Sequence, residues 1–325
     1  MLHEYQSNLR KFRLKLCEYQ SSCALLVKTN AIARNILLEN LMTINCKGEL
    51  IDLSFPKIMG ILNVTPDSFY DGGKYKDEKS ILLQTEKMLS EGATFIDLGA
   101  YSSRPGATPI SEEEELARTI PIVDLLLREF PKIILSIDTF RSEVALNCLE
   151  AGAALINDIS AGRMDKKMLS TIKKCKVPYI LMHMKGTPQT MQNETSYKEL
   201  LTDILRYFSE RVATARALGI HDIIVDPGFG FAKTKAQNFE LLEKFDLFQT
   251  LNLPVLAGLS RKSMIYKTLE TNAQNALNGT TALNMIALSK GANILRVHDV
   301  KEAVECTTLY GNLMNCLYCI SHIDL

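Results

Sequence analysis

Eight short runs of β-branched and apolar residues recur along this chain, each followed by a polar loop and then a stretch of helical spacing. They are Ile58-Met59-Gly60-Ile61-Leu62, Phe95-Ile96-Asp97-Leu98, Ile133-Ile134-Leu135-Ser136-Ile137, Ala154-Leu155-Ile156, Tyr179-Ile180-Leu181-Met182, Ile223-Ile224-Val225, Val255-Leu256-Ala257 and Ile294-Leu295-Arg296-Val297. The runs are continuous rather than alternating, which suits parallel strands covered on both faces. Between them, apolar residues step by three and four: Leu116, Ile120, Val123 and Leu127 in one segment, Leu201, Ile204, Leu205, Phe208, Val212 and Ala215 in another. This order of units predicts an α/β fold, a (β/α)8 TIM barrel, over an open doubly wound sheet. Periodicity does not report closure, so the open sheet stays as the alternative.

Local signals refine that frame. Ser111 and Glu114 have the spacing of a capping box. Pro121 falls inside the helix that follows and should kink or restart it. The stretch 42–55 alternates and contains Lys47-Gly48, so it predicts a short N-terminal β-hairpin that plugs the bottom of the barrel. Residues 1–41 read as a dispensable N-terminal extension, or as an upstream start with Met42 the functional one, and 42–325 as one barrel domain. No Pro- or Ser-rich linker divides that domain.

At 325 residues and 46% hydrophobic the chain has material for a large core. Its 37 basic and 37 acidic residues cancel, which speaks against a nucleic-acid or membrane surface and requires any anion site to be local. No apolar run approaches the roughly 20 residues a membrane helix needs. The eight cysteines are irregularly spaced in a long chain with no secretory signature, so reduced thiols in the cytoplasm are expected. The Cys316–Cys319 spacing lacks a second pair and reads as helix packing.

In a parallel barrel the chemistry sits where the strands end. The runs end on Asn63, a loop from Tyr101 to Gly106, Asp138, Asn157, His183, Asp226, the triplet Ser260-Arg261-Lys262, and Arg296 with His298. A polar residue at the end of any one strand usually caps a helix or bonds a loop. Eight such ends on one rim are far harder to reach by chance. A carboxylate at Asp226, followed by Pro227-Gly228-Phe229-Gly230-Phe231, can take two parallel hydrogen bonds from an amino-imino edge such as that of guanine or a pterin. Asp138 adds an acceptor and Asn157 a mixed donor–acceptor to the same floor. Arg104, Lys262, Arg296 and His298 come from three separate loops and would repel one another unless an anion such as a phosphate or diphosphate lay among them. No His/Cys cluster implies zinc.

Taken together these residues resemble one family. Met59-Gly60-Ile61-Leu62-Asn63-Val64-Thr65-Pro66-Asp67-Ser68-Phe69, with Asp71-Gly72-Gly73, resembles the first signature of the dihydropteroate synthases. Ser103-Arg104-Pro105-Gly106-Ala107 resembles the second. Asp138-Thr139, Asn157-Asp158, Leu181-Met182-His183-Met184, residues 226–231, Ser260-Arg261-Lys262-Ser263 and Arg296-Val297-His298 follow in the family's order. The resemblance implies a transferase of folate biosynthesis that joins 6-hydroxymethyl-7,8-dihydropterin diphosphate to 4-aminobenzoate. It implies that Asp138, Asn157, Met182, Asp226 and Lys262 hold the pterin. Asn63, Arg104, Arg296 and His298 would hold the diphosphate, with Mg2+ reached through Asn63. Phe69, Ser103, Pro105, Phe231 and Ser263 would line the aminobenzoate site. Asp138, Lys262, Arg296 and His298 would carry the chemistry. A homodimer and sensitivity of the type to sulfonamides come with the same resemblance. The sequence departs from the family at Tyr101, where an acid is common. A folate-dependent methyltransferase would share the pterin aspartates without needing the Ser-Arg-Pro-Gly loop, and a silent pterin-binding relative would keep the site without turnover.

Overall fold

The structure, a computed structural model, describes residues 42–64, 74–101 and 108–320. The barrel lies in a compact unit, Met42–Asn312. Its strands are β3 (Lys57–Asn63), β4 (Phe95–Gly99), β5 (Leu135–Asp138), β6 (Leu155–Asp158), β7 (Tyr179–Met182), β8 (Ile223–Asp226), β9 (Leu256–Ala257) and β10 (Ile294–Val297). They pair in the order β8-β7-β6-β5-β4-β3-β10-β9, and every pairing in this sheet is parallel. A parallel bridge from Val225 to Val255 joins β8 to the entry of β9, and Val225 N–H donates to the Pro254 carbonyl at 2.9 Å. That contact closes the ring and removes the open sheet.

The helices are α1 (Lys74–Ser90), α2 (Glu112–Glu129), α3 (Ser142–Ala151), α4 (Met168–Cys175), α5 (Leu200–Ala217), α6 (Lys235–Glu243), α7 (Ser263–Tyr266), α8 (Leu277–Ser289) and α9 (Val300–Ile320). Among the described residues no helix is long and apolar enough to cross a membrane. In α5 the predicted stripe is the buried one, with Leu201, Ile204, Phe208, Val212 and Ala215 all turned inward. Two local expectations change. Pro121 does not restart α2, which runs as one helix. The proline is exposed, and so is Ala117 four residues back, whose carbonyl loses its partner, so water can satisfy it. The capping box at Ser111 is half made: Ser111 accepts from Glu114 N–H, but the Glu114 carboxylate turns to Arg118. A complete box forms instead at Thr234 and Gln237, opening α6.

The hairpin is present. Strands β1 (Thr43–Cys46) and β2 (Glu49–Asp52) are antiparallel, joined through Lys47 and Gly48, both at positive φ as a tight hairpin turn requires. Ile44, Cys46, Ile51 and Leu53 pack into one buried cluster with Met59, Phe95, Leu155, Ile180, Ile224, Leu256 and Ile294. Those barrel residues come from the early part of their strands, so the hairpin stoppers the end where the strands begin. Side chains two apart on a strand face the same way. One inward step beyond this apolar layer therefore stand Asp97 after Phe95, Asn157 after Leu155, Met182 after Ile180, Asp226 after Ile224, Gly258 after Leu256 and Arg296 after Ile294.

Candidate active site

Asp97 organises the centre of that second layer. It is fully buried, and its carboxylate accepts from Ser136 Oγ at 2.5 Å, Asn157 Nδ2 at 3.0 Å and Arg296 Nε at 2.5 Å. The second arm of Arg296 donates to Asp138 Oδ2 at 2.7 Å. Arg296 thus lies between two carboxylates. Burial works against its charge, but Asp97 and Asp138 outweigh burial and hold the guanidinium firmly protonated. Burial pushes the Asp138 carboxyl up to about 7, with Arg296 opposing and Asp97 reinforcing the rise. Asp97 had no role in the sequence reading. Its signal was there: a lone carboxylate inside an apolar parallel strand must find buried partners.

A second group faces the first. Asp226, ending β8, is 5% exposed, and its Oδ1 accepts from Gly228 N–H at 2.8 Å. Burial raises its pKa, countered chiefly by the charge of Lys262. Lys262, the residue before α7, donates to the Phe229 carbonyl and lies 5.1 Å from the centre of the Phe231 ring. Burial lowers its ammonium to about 8, with Asp226 pulling the other way and Arg296 adding to the fall. Gly258 makes room between them: a Cβ there would stand 3.7 Å from Lys262 Nζ and 4.0 Å from Asp226 Oδ2. Met182 is buried among Ile159, Met184, Met191 and Ala232, with Phe140 and Phe231 packed against it, and supplies an apolar wall.

Asn63, at the end of β3, completes the rim. A Cβ on Gly99 would lie 3.6 Å from Asn63 Oδ1 and 3.7 Å from Asp138 Oδ2, so the bare glycine leaves these two oxygens facing one gap. Ser260 Oγ lies 3.0 Å from His298 Nδ1 and accepts from His298 N–H at 3.1 Å, which fixes that histidine on its loop. Ser263 is exposed in the first turn of α7.

The structure therefore brings together Asp138, Asn157, Met182, Asp226, Lys262 and Arg296, with Phe231 against Lys262. Two of the strand-end residues are turned elsewhere. Arg261 is committed to Asp299 through a two-armed ion pair of 2.8 and 2.7 Å. His183 is 2% exposed and faces Lys233 rather than the mouth. Tyr101, the departure from the family pattern, has its own partners: its hydroxyl accepts from Gln189 Nε2 at 2.8 Å and its ring meets Phe140 edge-on. Phe69, Ser103, Arg104 and Pro105, together with the first signature beyond Val64, lie outside the described residues. Among the described residues no group of three or more His, Cys, Asp and Glu side chains could hold a metal by itself.

Comparison with known proteins bears on this arrangement. Residues 59–298 match the model of the pterin binding enzyme family. The chain is 42% identical over 266 residues to the dihydropteroate synthase of Escherichia coli K12, covering 81% of this chain and 94% of that one. It is 46% identical over 251 residues to the dihydropteroate synthase of Synechocystis, covering 76% and 86%. Among solved structures, a Yersinia pestis dihydropteroate synthase in complex with a sulfonamide drug superposes with a TM-score of 0.79 at 42% identity, covering 84% of this chain and 100% of that one. A Xanthomonas albilineans dihydropteroate synthase with 4-aminobenzoic acid gives 0.79 at 37% identity, covering 84% and 98%.

Proposed function

The chain belongs to the family of pterin-binding enzymes, and on that premise we propose that it is a dihydropteroate synthase, joining 6-hydroxymethyl-7,8-dihydropterin diphosphate to 4-aminobenzoate with release of diphosphate. The observation that carries this reading is the double arrangement at one barrel mouth: the buried Asp226 beside Lys262, and Asp138 bridged to Arg296.

Each residue then has a task. The Asp226 carboxylate takes the paired N–H donors of the pterin's amino-imino edge, Asn157 and Asp138 meet its other polar atoms, and Met182 forms the apolar side of the slot. The hard step is breaking the carbon–oxygen bond to diphosphate, whose oxygen leaves with the bonding electrons. Arg296, His298 and Arg104 stabilise the charge that departs. The ring is left cationic, and an ionised Asp138 favours that cation. The amine nitrogen of 4-aminobenzoate attacks the same carbon, the C–N bond forms, and the nitrogen's proton passes to water or to the departing diphosphate. Positioning by Phe69, Ser103, Pro105, Phe231 and Ser263 replaces the need for a strong base.

The side-chain oxygen of Asn63 beside Gly99 would give a hard divalent cation one ligand, the remaining ligands coming from substrate phosphate and water. Mg2+ held through Asn63 would supply further neutralisation of the leaving group. We place the enzyme in the cytoplasm as a homodimer, by analogy with its family.

The test is direct. Purified protein is incubated with the pterin diphosphate, 4-aminobenzoate and Mg2+. Dihydropteroate should form, with diphosphate release that depends on aminobenzoate. Binding of pterin without either product would make the chain a silent binder and end the proposal.

A further inference from the structure

Lys233 follows the loop at 226–231, has no place in the chemistry above, and is 5% exposed. Its Nζ lies 3.0 Å from the Gly228 carbonyl, 3.1 Å from the Phe231 carbonyl and 3.0 Å from Nδ1 of His183. An ammonium has three hydrogens, and these acceptors use all of them. His183 can accept only as the neutral ring with its proton on Nε2. Burial first, and then the charge of Lys233, holds its pKa well below the usual histidine range. Burial likewise lowers Lys233, to about 7, while Asp226 supports its charge and Lys262 and Lys185 oppose it.

The loop needs such a partner. Its backbone turns through positive φ at Gly228, Gly230 and Ala232, so its carbonyls join no sheet ladder; Gly228 shares its carbonyl with Phe231 N–H at 3.1 Å across the turn, and side chains take up the rest. Two lysines divide them: Phe229 gives its carbonyl to Lys262, Gly228 and Phe231 give theirs to Lys233. The loop is also pressed against β7. The Asp226 carbonyl accepts from His183 N–H at 2.9 Å, and a Cβ on Gly228 would come within 2.2 Å of the His183 carbonyl oxygen. What fixes Gly228 fixes Asp226, because Gly228 N–H holds Asp226 Oδ1.

We propose that Lys233 is a positioning residue for pterin recognition: by clamping the carbonyls of Gly228 and Phe231 from the buried side, it aims the Asp226 carboxylate and the Phe231 ring into the site. The clamp rests on the functional reading above, which gives those two groups to substrate.

The test compares full-length wild type with Lys233→Met, which keeps the unbranched apolar stem and loses every donor, and Lys233→Gln, which keeps two donors and loses the charge. The Kd for 7,8-dihydropterin is measured by calorimetry, with kcat, both KM values and the thermal midpoint alongside. Pterin Kd and the KM for pterin diphosphate should weaken about tenfold or more in Lys233→Met and about threefold in Lys233→Gln, while kcat per folded molecule falls less than the KM rises. A merely structural lysine would lower the thermal midpoint and the active fraction and leave pterin Kd within about twofold of wild type; that result overturns the clamp. If Lys233→Met does not fold, Lys233→Gln decides alone by the same twofold line. Wild type that binds pterin but makes no dihydropteroate would sink the proposed reaction and leave the clamp standing; active wild type with unaltered variants would sink only the clamp.

Discussion

Where the barrel strands begin, the inward side chains of Met59, Phe95, Leu155, Ile180, Ile224, Leu256 and Ile294 close on the hairpin residues Ile44 and Leu53 in a dry apolar layer. One inward step along the same strands, Asp97, Asn157 and Arg296 form a connected polar layer, with Asp226 and Met182 at the same level. Neither layer has a fold of its own. Moving two residues along a strand exchanges packing for chemistry, because the pleat returns each second side chain to the same face while its depth in the barrel changes. The lower layer is built of buried apolar side chains that ask for no hydrogen-bond partner. The upper layer can hold buried charge because each charge meets an opposite charge or a hydrogen-bond partner.

Phe95 and Asp97 sit on one face of one strand, so they give the sharpest separation of the two roles. Asp97→Ala strands the Arg296 guanidinium with one carboxylate fewer and releases Asn157. Loss of one partner from a buried pair is expected to cost roughly 3–5 kcal/mol of stability. Displacement of Arg296 and Asn157 should cost about a hundredfold in kcat/KM besides. Urea unfolding and kinetics on the folded fraction measure the two losses separately, and a stability loss with unaltered kinetics would make Asp97 a purely structural partner. Phe95→Ala should also lose about 3–5 kcal/mol through an unfilled cavity, yet kcat/KM per folded molecule should stay close to wild type. A large kinetic effect there would break the division between the layers.

At the mouth the pattern reverses. Asp226→Ala and Lys262→Ala should each lose roughly 2–4 kcal/mol of transition-state stabilisation, read as kcat/KM. Near-normal kcat/KM in both would remove them from the site. A smaller effect is expected from pH. Because burial raises the Asp138 carboxyl to about 7, it takes up a proton below that value and loses the charge that faces Arg296 and the developing cation. The kcat/KM should therefore decline by about tenfold per pH unit on the acid side, and Asp138→Asn should flatten that limb. Stability runs the other way for this group: a folded pKa raised above 3.8 means its contribution to folding is present at low pH and lost as pH rises through about 7. The smallest change should come from deleting residues 1–41, outside the family match at 59–298, which is expected to leave kcat/KM within about twofold.

The eight strands were legible because burial on both faces leaves an uninterrupted apolar signature. The hairpin was legible from the Lys47-Gly48 turn and the alternation around it. Ring closure was not, since it rests on the bridge from Val225 to Val255 and on β9, which is two residues long. The mouth residues could be found as strand ends. Asp97 and Lys233 could not be placed so, because their meaning lies in partners that sequence spacing does not reveal: Arg296 stands 199 positions from Asp97, and His183 stands 50 from Lys233. His183 shows the opposite failure. Its position at the end of β7 suggests the mouth, but its side chain turns away and serves the loop from behind.

The pairing of β3 with β10 has a consequence for how the molecule comes into being. The first barrel strand finds its second neighbour only in residues 294–297, and Asn293 then ties the seam to the hairpin by donating to the Leu53 carbonyl while accepting from Val255 N–H. A growing polypeptide must carry a long, unpaired apolar margin along β3 until nearly the whole barrel has left the ribosome. Synthesis and ring closure are thereby linked, and chaperone dependence should be greatest for nascent chains that stop just short of Asn293.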